Sequence, residues 1–156
     1  MADPSATPTS RTGDDLVAWH LLFQVVNRVV REFERRFDRD HRVSAREFDV
    51  LINLGNAPDG WLRMTELANA TMLSSGGLTR LAGRLEERDL IRRDPDPDDA
   101  RAFRATLTDA GGRVLGEMRV THDAIVRELF AEGLDDGEIA QVTAMLGRVL
   151  GEDLRP

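Results

Sequence analysis

A chain of 156 residues, 41% apolar and 31% charged, is long enough for one domain with a core of its own and lies in the globular range of composition. It lacks the run of about 20 apolar residues that a membrane-spanning helix needs, and with no cysteine it has no disulfide, thiolate metal site or thiol redox chemistry. A net charge of −7 argues against a uniformly basic nucleic-acid binder, but segment 61–104 holds eight arginines against eight acids, while the remaining thirteen arginines face twenty acids. All 21 basic residues are arginine; arginine is the better fork for phosphate and guanine, and a GC-rich coding bias explains the skew as readily.

Residues 1–13 are rich in Pro, Ser and Thr and lack the basic start and apolar centre of a signal peptide, which predicts a disordered N-terminal tail and a cytoplasmic location. Thr12 with Asp15 reads as a capping box for a long first helix, over residues 14–43. Leu16, Trp19, Phe23, Val26, Val30, Phe33 and Phe37 recur along it at spacings of 3, 4, 3, 4, 3 and 4. This is a coiled-coil-like seam, and Leu22, Val25 and Val29 widen it beyond what one neighbour covers. Ser44 with Glu47 caps a second helix carrying Phe48, Leu51, Ile52 and Leu54, stopped by Gly55 with Pro58 beyond. A short third helix covers Thr65 to Ala70.

The fourth helix, Ser74 to Asp89, clusters Leu78, Leu81, Ala82 and Leu85 on one side. The opposite side presents Gly76, Thr79, Arg80 and Gly83, flanked by Arg84, which is not a core face. Gly76 and Gly77 each cost about 1 kcal/mol of helix propensity relative to Ala. That cost makes sense where a phosphate backbone approaches closely, with Ser74 and Ser75 supplying hydroxyls at the helix N-terminus; the plainer reading is an N-cap with a frayed start.

After Leu90 the period changes to two. Ile91-Arg92-Arg93 and Ala102 to Leu107 flank the Pro-punctuated tip Asp94 to Asp99, with Phe103, Ala105 and Leu107 on one face and Ala102, Arg104 and Thr106 on the other. Thr108 caps a fifth helix with the stripe Leu115, Met118, His122, Ile125 and Leu129. Asp135 with Glu138 caps a sixth carrying Ile139, Val142, Met145, Leu146, Val149 and Leu150. The order is α-α-α-α-β-β-α-α: a mostly α protein with a small β-hairpin.

Asp99-Ala100-Arg101 followed by Leu107-Thr108-Asp109-Ala110-Gly111, after the helix exit Leu85 to Arg93, resembles the Asp-x-Arg and Leu-Thr-x-x-Gly signature of the MarR-type winged helix-turn-helix transcriptional regulators. The likeness runs from about Asp14 to Leu150; Asp89 stands where that family usually has Gly, and Asp tolerates the left-handed backbone such a turn needs. The resemblance implies an intertwined homodimer. Its parts would be dimerisation helix 14–43, a DNA-binding lobe at 44–110 and C-terminal dimerisation helices at 111–156. Leu16, Trp19, Phe23, Leu129, Ile139, Val142, Leu146 and Val149 are the expected interface, in keeping with more apolar surface than one chain covers. Such a dimer reads a pseudo-palindrome in successive major grooves about 34 Å apart.

Thr79, Arg80 and Arg84 are then the candidates for the major groove. Ser74, Ser75 and Gly76, with Arg63 and Thr65 ahead of the third helix, are the candidates for phosphate. Arg101 is the candidate for the minor groove, with Asp99 orienting its guanidinium by an ion pair; the bland alternative is a solvated turn charge. The family commonly takes a small phenolic or carboxylate effector, and Trp19, Asp49, Arg80 and Arg93 resemble the Trp, Asp, Arg, Arg set of its urate-responsive subgroup. That likeness lacks the subgroup's extra N-terminal helix, so Asp49 with an arginine also reads as a lobe-to-core ion pair. His20, His41 and His122 are read as lying on different helices without metal-ligand spacing. No metal or cofactor is expected, and the absence of a nucleophile elbow, P-loop or paired-His motif argues against an enzyme. The alternative function is a winged-helix protein-docking module that does not bind DNA.

Overall fold

Capping side chains set four of the helix starts. Ser44 Oγ accepts the Glu47 N–H (3.2 Å) while Glu47 Oε2 accepts the Ser44 N–H (2.8 Å), and Asp135 with Glu138 forms the same reciprocal pair at 2.9 Å each way. Ser74 Oγ accepts from Gly77 N–H at 3.2 Å and Thr108 Oγ1 from Gly111 N–H at 2.9 Å. The computed structural model describes residues 13–151. In chain order these form α1 (Asp14–His41), α2 (Ala45–Gly55), β1 (Trp61–Arg63), α3 (Met64–Ala70), α4 (Ser75–Glu87), β2 (Ile91–Asp96), β3 (Asp99–Leu107), α5 (Asp109–Val126), a π-helical turn (Arg127–Ala131) and α6 (Asp136–Leu150).

The start of α1 departs from the sequence reading. Thr12 and, Gly13 apart, the expected tail lie outside the described residues; Gly13 is the N-cap, at φ 133°, with no side-chain cap. At the other end α1 stops at His41, because Arg42 turns left-handed at φ 55°. Asp89, where the sequence calls for a left-handed residue, has φ 56°.

A third strand, β1, was not read from the sequence. Three residues are too few to show a period, and β1 exists only through its pairing with β3: Trp61 with Thr106, Leu62 with Ala105, Arg63 with Arg104. The sheet order is β1-β3-β2, all antiparallel, and both hairpin strands, β2 and β3, run further than expected. β2 extends through Pro95 to Asp96 because it is an edge strand, where a residue without N–H is tolerated.

The core lies where α2, α3, α4 and α5 meet the sheet, with Val50, Leu51, Leu54, Leu67, Leu78, Leu85, Ile91, Ala105 and Met118 buried. The seam of α1 is divided. Phe33 and Phe37 stack on each other (5.3 Å), Phe37 packs on Phe48 (4.8 Å) and Phe33 on His122 (4.9 Å), so this end belongs to the chain's own core. From Leu16 to Val30 the seam is uncovered, Trp19 being 65% exposed, and α6 buries only Gly147 while Val149 is 82% exposed. Glu32, held at about pKa 2 by hydrogen bonds from Arg35 and Arg36, and the Arg36 to Glu128 pair at 2.6 Å tie α1 to the π turn.

The signature glycine has a steric reason. A Cβ on Gly111 would sit 1.9 Å from the Leu90 carbonyl oxygen, and backbone on both sides has no room to yield. Gly111→Ala is expected to destabilise the fold by about 3 kcal/mol, read as a lowered urea midpoint in equilibrium unfolding.

Candidate nucleic-acid interface

α3 and α4 form a helix-turn-helix whose buried side is Leu67, Ala68, Leu78, Leu81, Ala82 and Leu85. The other side of α4 is open: Ser75, Gly76, Thr79, Arg80 and Arg84 are exposed. With Ser74 Oγ spent on Gly77 N–H, the Ser75 and Gly76 N–H groups at the first turn have no partner among the described residues. A Cβ on Gly76 would meet nothing within 4 Å, so no internal packing demands glycine there. Thr79 Oγ1 donates to the Ser75 carbonyl at 2.8 Å. This occupies its hydroxyl proton within the helix and suits the exposed side chain to apolar contact.

The predicted residues converge. Arg63, Thr65, Thr79 and Arg101 line one cleft of about 280 Å³ between the wing root and α4, together with Met64, Arg93, Ala102 and Phe103. Thr65, Ser75 and Thr79 line a second, of about 430 Å³, between α3 and α4, together with Asn69. Asn69 and Phe103 were not singled out from the sequence. Phe103 alternates with buried Ala105 and so reads as core, but it lies on the hairpin beyond the reach of the core and is exposed.

Charge on this face is sorted by pairing. Arg80 and Arg101 are exposed and form no ion pair among the described residues, whereas Arg92 pairs with Asp94 (2.6 Å) and Arg93 with Glu86, whose carboxyl it holds below the ordinary range. Arg84 lies 3.7 Å from buried Glu47, which joins α4 to α2. Arg63 is less free than the sequence suggests: its Nε donates to Asp96 Oδ2 at 2.7 Å. Arg104 donates to both Asp96 (3.0 Å) and Asp98 (2.9 Å) and lies over Trp61, its guanidinium carbon 3.7 Å from the ring centre. Asp96, which reads as a tip residue, has a side chain with no solvent exposure, and these guanidinium groups hold it well below the usual carboxylate range.

Two expected ion pairs are not formed. Asp99 Oδ1 accepts the Arg101 backbone N–H at 3.0 Å, so it shapes the turn and leaves the guanidinium unpaired. Asp49 makes no ion pair among the described residues; half-buried on α2, its carboxyl is pushed up by burial, opposed by Arg46 and reinforced by Glu34. The four residues of the effector set are not brought to one cleft of this chain: Trp19 is on the exposed half of α1, Asp49 on α2, Arg80 on α4, and Arg93 is held by Glu86.

The histidines correct a smaller point. His20 and His41 share α1, about 31 Å apart by helical rise. His41 meets Thr121 Oγ1 at 2.9 Å, and His122 stacks on Phe33 and Phe48. Among the described residues no cluster of three or more His, Asp or Glu is placed to hold a metal ion, and no helix is long and apolar enough to cross a membrane.

A helix-turn-helix followed by a hairpin is shared with known proteins. The family model described as the MarR family matches residues 43–102. The HTH-type transcriptional regulator PecS of Dickeya dadantii is 30% identical over 134 residues, covering 83% of this chain and 80% of its own. The chain belongs to the MarR family. Among solved structures, this MarR-family chain is similar to Sco3205, a MarR family transcriptional regulator from Streptomyces coelicolor in complex with DNA, with TM-score 0.81 and 26% identity over 97% of this chain and 94% of that one. It is also similar to Bordetella bronchiseptica BpsR, whose regulation of DNA binding by 6-hydroxynicotinic acid is the subject of its structure, with TM-score 0.73 and 26% identity over 85% and 98%. These relatives are transcriptional regulators, and the winged helix-turn-helix is the fold of this chain.

Gly76 separates stability from binding. Gly76→Ala is expected to stabilise the folded protein by about 0.5–1 kcal/mol in chemical unfolding, since the space is open and Ala is the better helix former. The same change should weaken DNA binding in an anisotropy titration, because the methyl group occupies the approach of a phosphate.

Proposed function

We propose that this MarR-family regulator binds a pseudo-palindromic operator in double-stranded DNA as a homodimer. In this reading it is a repressor, released by a small aromatic or anionic effector. α4 lies in the major groove with Thr79, Arg80 and Arg84 toward the bases; Ser74, Ser75, Gly76 and Thr65 meet phosphates; Arg101 on the wing enters the minor groove. The observation that carries this reading is a single surface on which Thr65, Ser75, Thr79 and Arg101 adjoin, with Arg80 and Arg101 unpaired beside it. A net charge of −7 does not oppose it, because many of the lobe's acids are engaged by arginines of the same lobe.

The uncovered seam from Leu16 through Trp19 and Phe23, with Ile139, Val142, Leu146 and Val149 of α6 and Leu129 at the π turn, supports helices 14–43 and 111–156 as the dimerisation parts around lobe 44–110. The protein is then a cytoplasmic binding protein and not an enzyme. Effector release needs only a preference of a few kcal/mol for one spacing of the two lobes. The cleft that joins Arg93, Arg101 and Phe103 offers cationic and aromatic groups for such a ligand.

Titration of the promoter fragment upstream of its own gene tests the reading. Affinity should fall about 10³-fold between roughly 50 and 200 mM salt. Arg80→Ala and Arg101→Ala should each weaken binding by about tenfold with the fold intact, the first with altered base preference and the second broadly. Wild-type binding by both variants, or a flat salt response, would point to a protein-docking module instead. For assembly, sedimentation should give the mass of two chains, and the double variant Leu16→Asp with Val149→Asp, both at exposed positions, should shift it to one chain at micromolar concentration without loss of helical signal.

A further inference from the structure

The wing tip carries four acids in six residues, Asp94-Pro95-Asp96-Pro97-Asp98-Asp99, at the part of the protein meant to approach a polyanion. Each is occupied. Asp94 pairs with Arg92, Asp98 with Arg104, and Asp99 holds the Arg101 backbone N–H. Asp96 does more: Oδ1 accepts the Asp98 N–H (2.9 Å) and Arg104 Nη2 (3.0 Å), while Oδ2 accepts Arg63 Nε (2.7 Å). Arg63 ends β1 and precedes α3, so one carboxylate with no solvent exposure ties the wing turn to the start of the helix-turn-helix.

The strand ladder is irregular at this end of the hairpin. The β2–β3 register shifts between Pro95 and Asp96, after which Asp96 opposes Asp99. Past that irregularity Asp96 Oδ1 and Asp99 Oδ1 accept the Asp98 and Arg101 backbone N–H groups, and Arg104 lies over Trp61 of β1. Arg101 follows two residues after Asp99, with its side chain held by no ion pair among the described residues. Its reach therefore depends on where the turn is held.

We infer that Asp96, backed by Trp61 beneath Arg104, is a positioning residue that sets where the wing carries Arg101 toward DNA. This rests on the reading of Arg101 as a minor-groove contact. It also removes Arg63 and Arg104 from the cations available to phosphate, since both serve the carboxylate.

A double-mutant cycle on the promoter fragment tests it, with helical signal and unfolding midpoint measured for every variant. Arg101→Ala should weaken binding about tenfold and Asp96→Asn about fivefold, but Asp96→Asn added to Arg101→Ala should cost less than about twofold more. Trp61→Leu should reproduce the Asp96→Asn pattern, which keeps the test open if Asp96→Asn folds poorly. Replacing A·T flanks by G·C should weaken the wild type and leave Asp96→Asn and Arg101→Ala nearly unchanged, a response that general loss of stability does not produce. Equal losses from Asp96→Asn in both backgrounds, or no loss while Arg101→Ala is impaired, overturn the positioning role alone. Wild-type binding by Arg101→Ala overturns the minor-groove reading and this role with it.

Discussion

The Leu90 carbonyl is the point on which the geometry of the lobe depends. It accepts the Thr108 N–H at 3.2 Å and lies against Gly111, where only a residue without Cβ fits. Thr108 Oγ1 donates to the Asp89 carbonyl at 2.5 Å and accepts the Gly111 N–H, so a single threonine both closes the helix exit and opens α5. Asp89, in the left-handed region, makes the turn that delivers Leu90 to this contact. The end of α4, the root of β2, the end of β3 and the start of α5 are thereby joined within a few residues. These contacts fix how α4 sits relative to α5 at this junction.

Pairing, more than composition, decides the electrostatics. A chain with seven excess negative charges still offers exposed, unpaired arginines on one face, because Glu47, Glu86, Asp94, Asp96 and Asp98 are turned toward arginines of the same lobe. A carboxylate satisfied by a guanidinium contributes little field beyond a Debye length. Arg80 and Arg101 have no such partner among the described residues and keep their charge available to a ligand.

α1 does two jobs with one periodicity. Its C-terminal third, through Phe33 and Phe37, is bound into the lobe by Phe48 and His122, while its N-terminal half and α6 bury almost nothing within the chain. The same helix that anchors the lobe therefore extends an apolar face away from it. The two parts belong to one continuous helix, and Arg36, in its C-terminal third, pairs with both Glu32 and Glu128.

Much of this architecture was legible in the sequence because it rests on local rules. Capping boxes at Ser44 and Asp135, the caps at Ser74 and Thr108, the left-handed Asp89 and the open face of α4 follow from hydrogen bonds and helical period within a few residues, and the wing signature carried the family. What required the tertiary structure was every feature whose partner is distant in the chain. β1 exists only against β3; Asp96 looks like a solvated tip until Arg63, 33 residues earlier, is brought to it; Phe103 looks buried until the core ends short of it. Asp99 serves backbone where a side-chain pair was expected, and the four-residue effector set is scattered over separate elements of this chain. Period and capping are properties of a segment, so sequence by itself determined them; which charges cancel, and which apolar residues stay uncovered, are properties of pairs, and only the folded chain decided those.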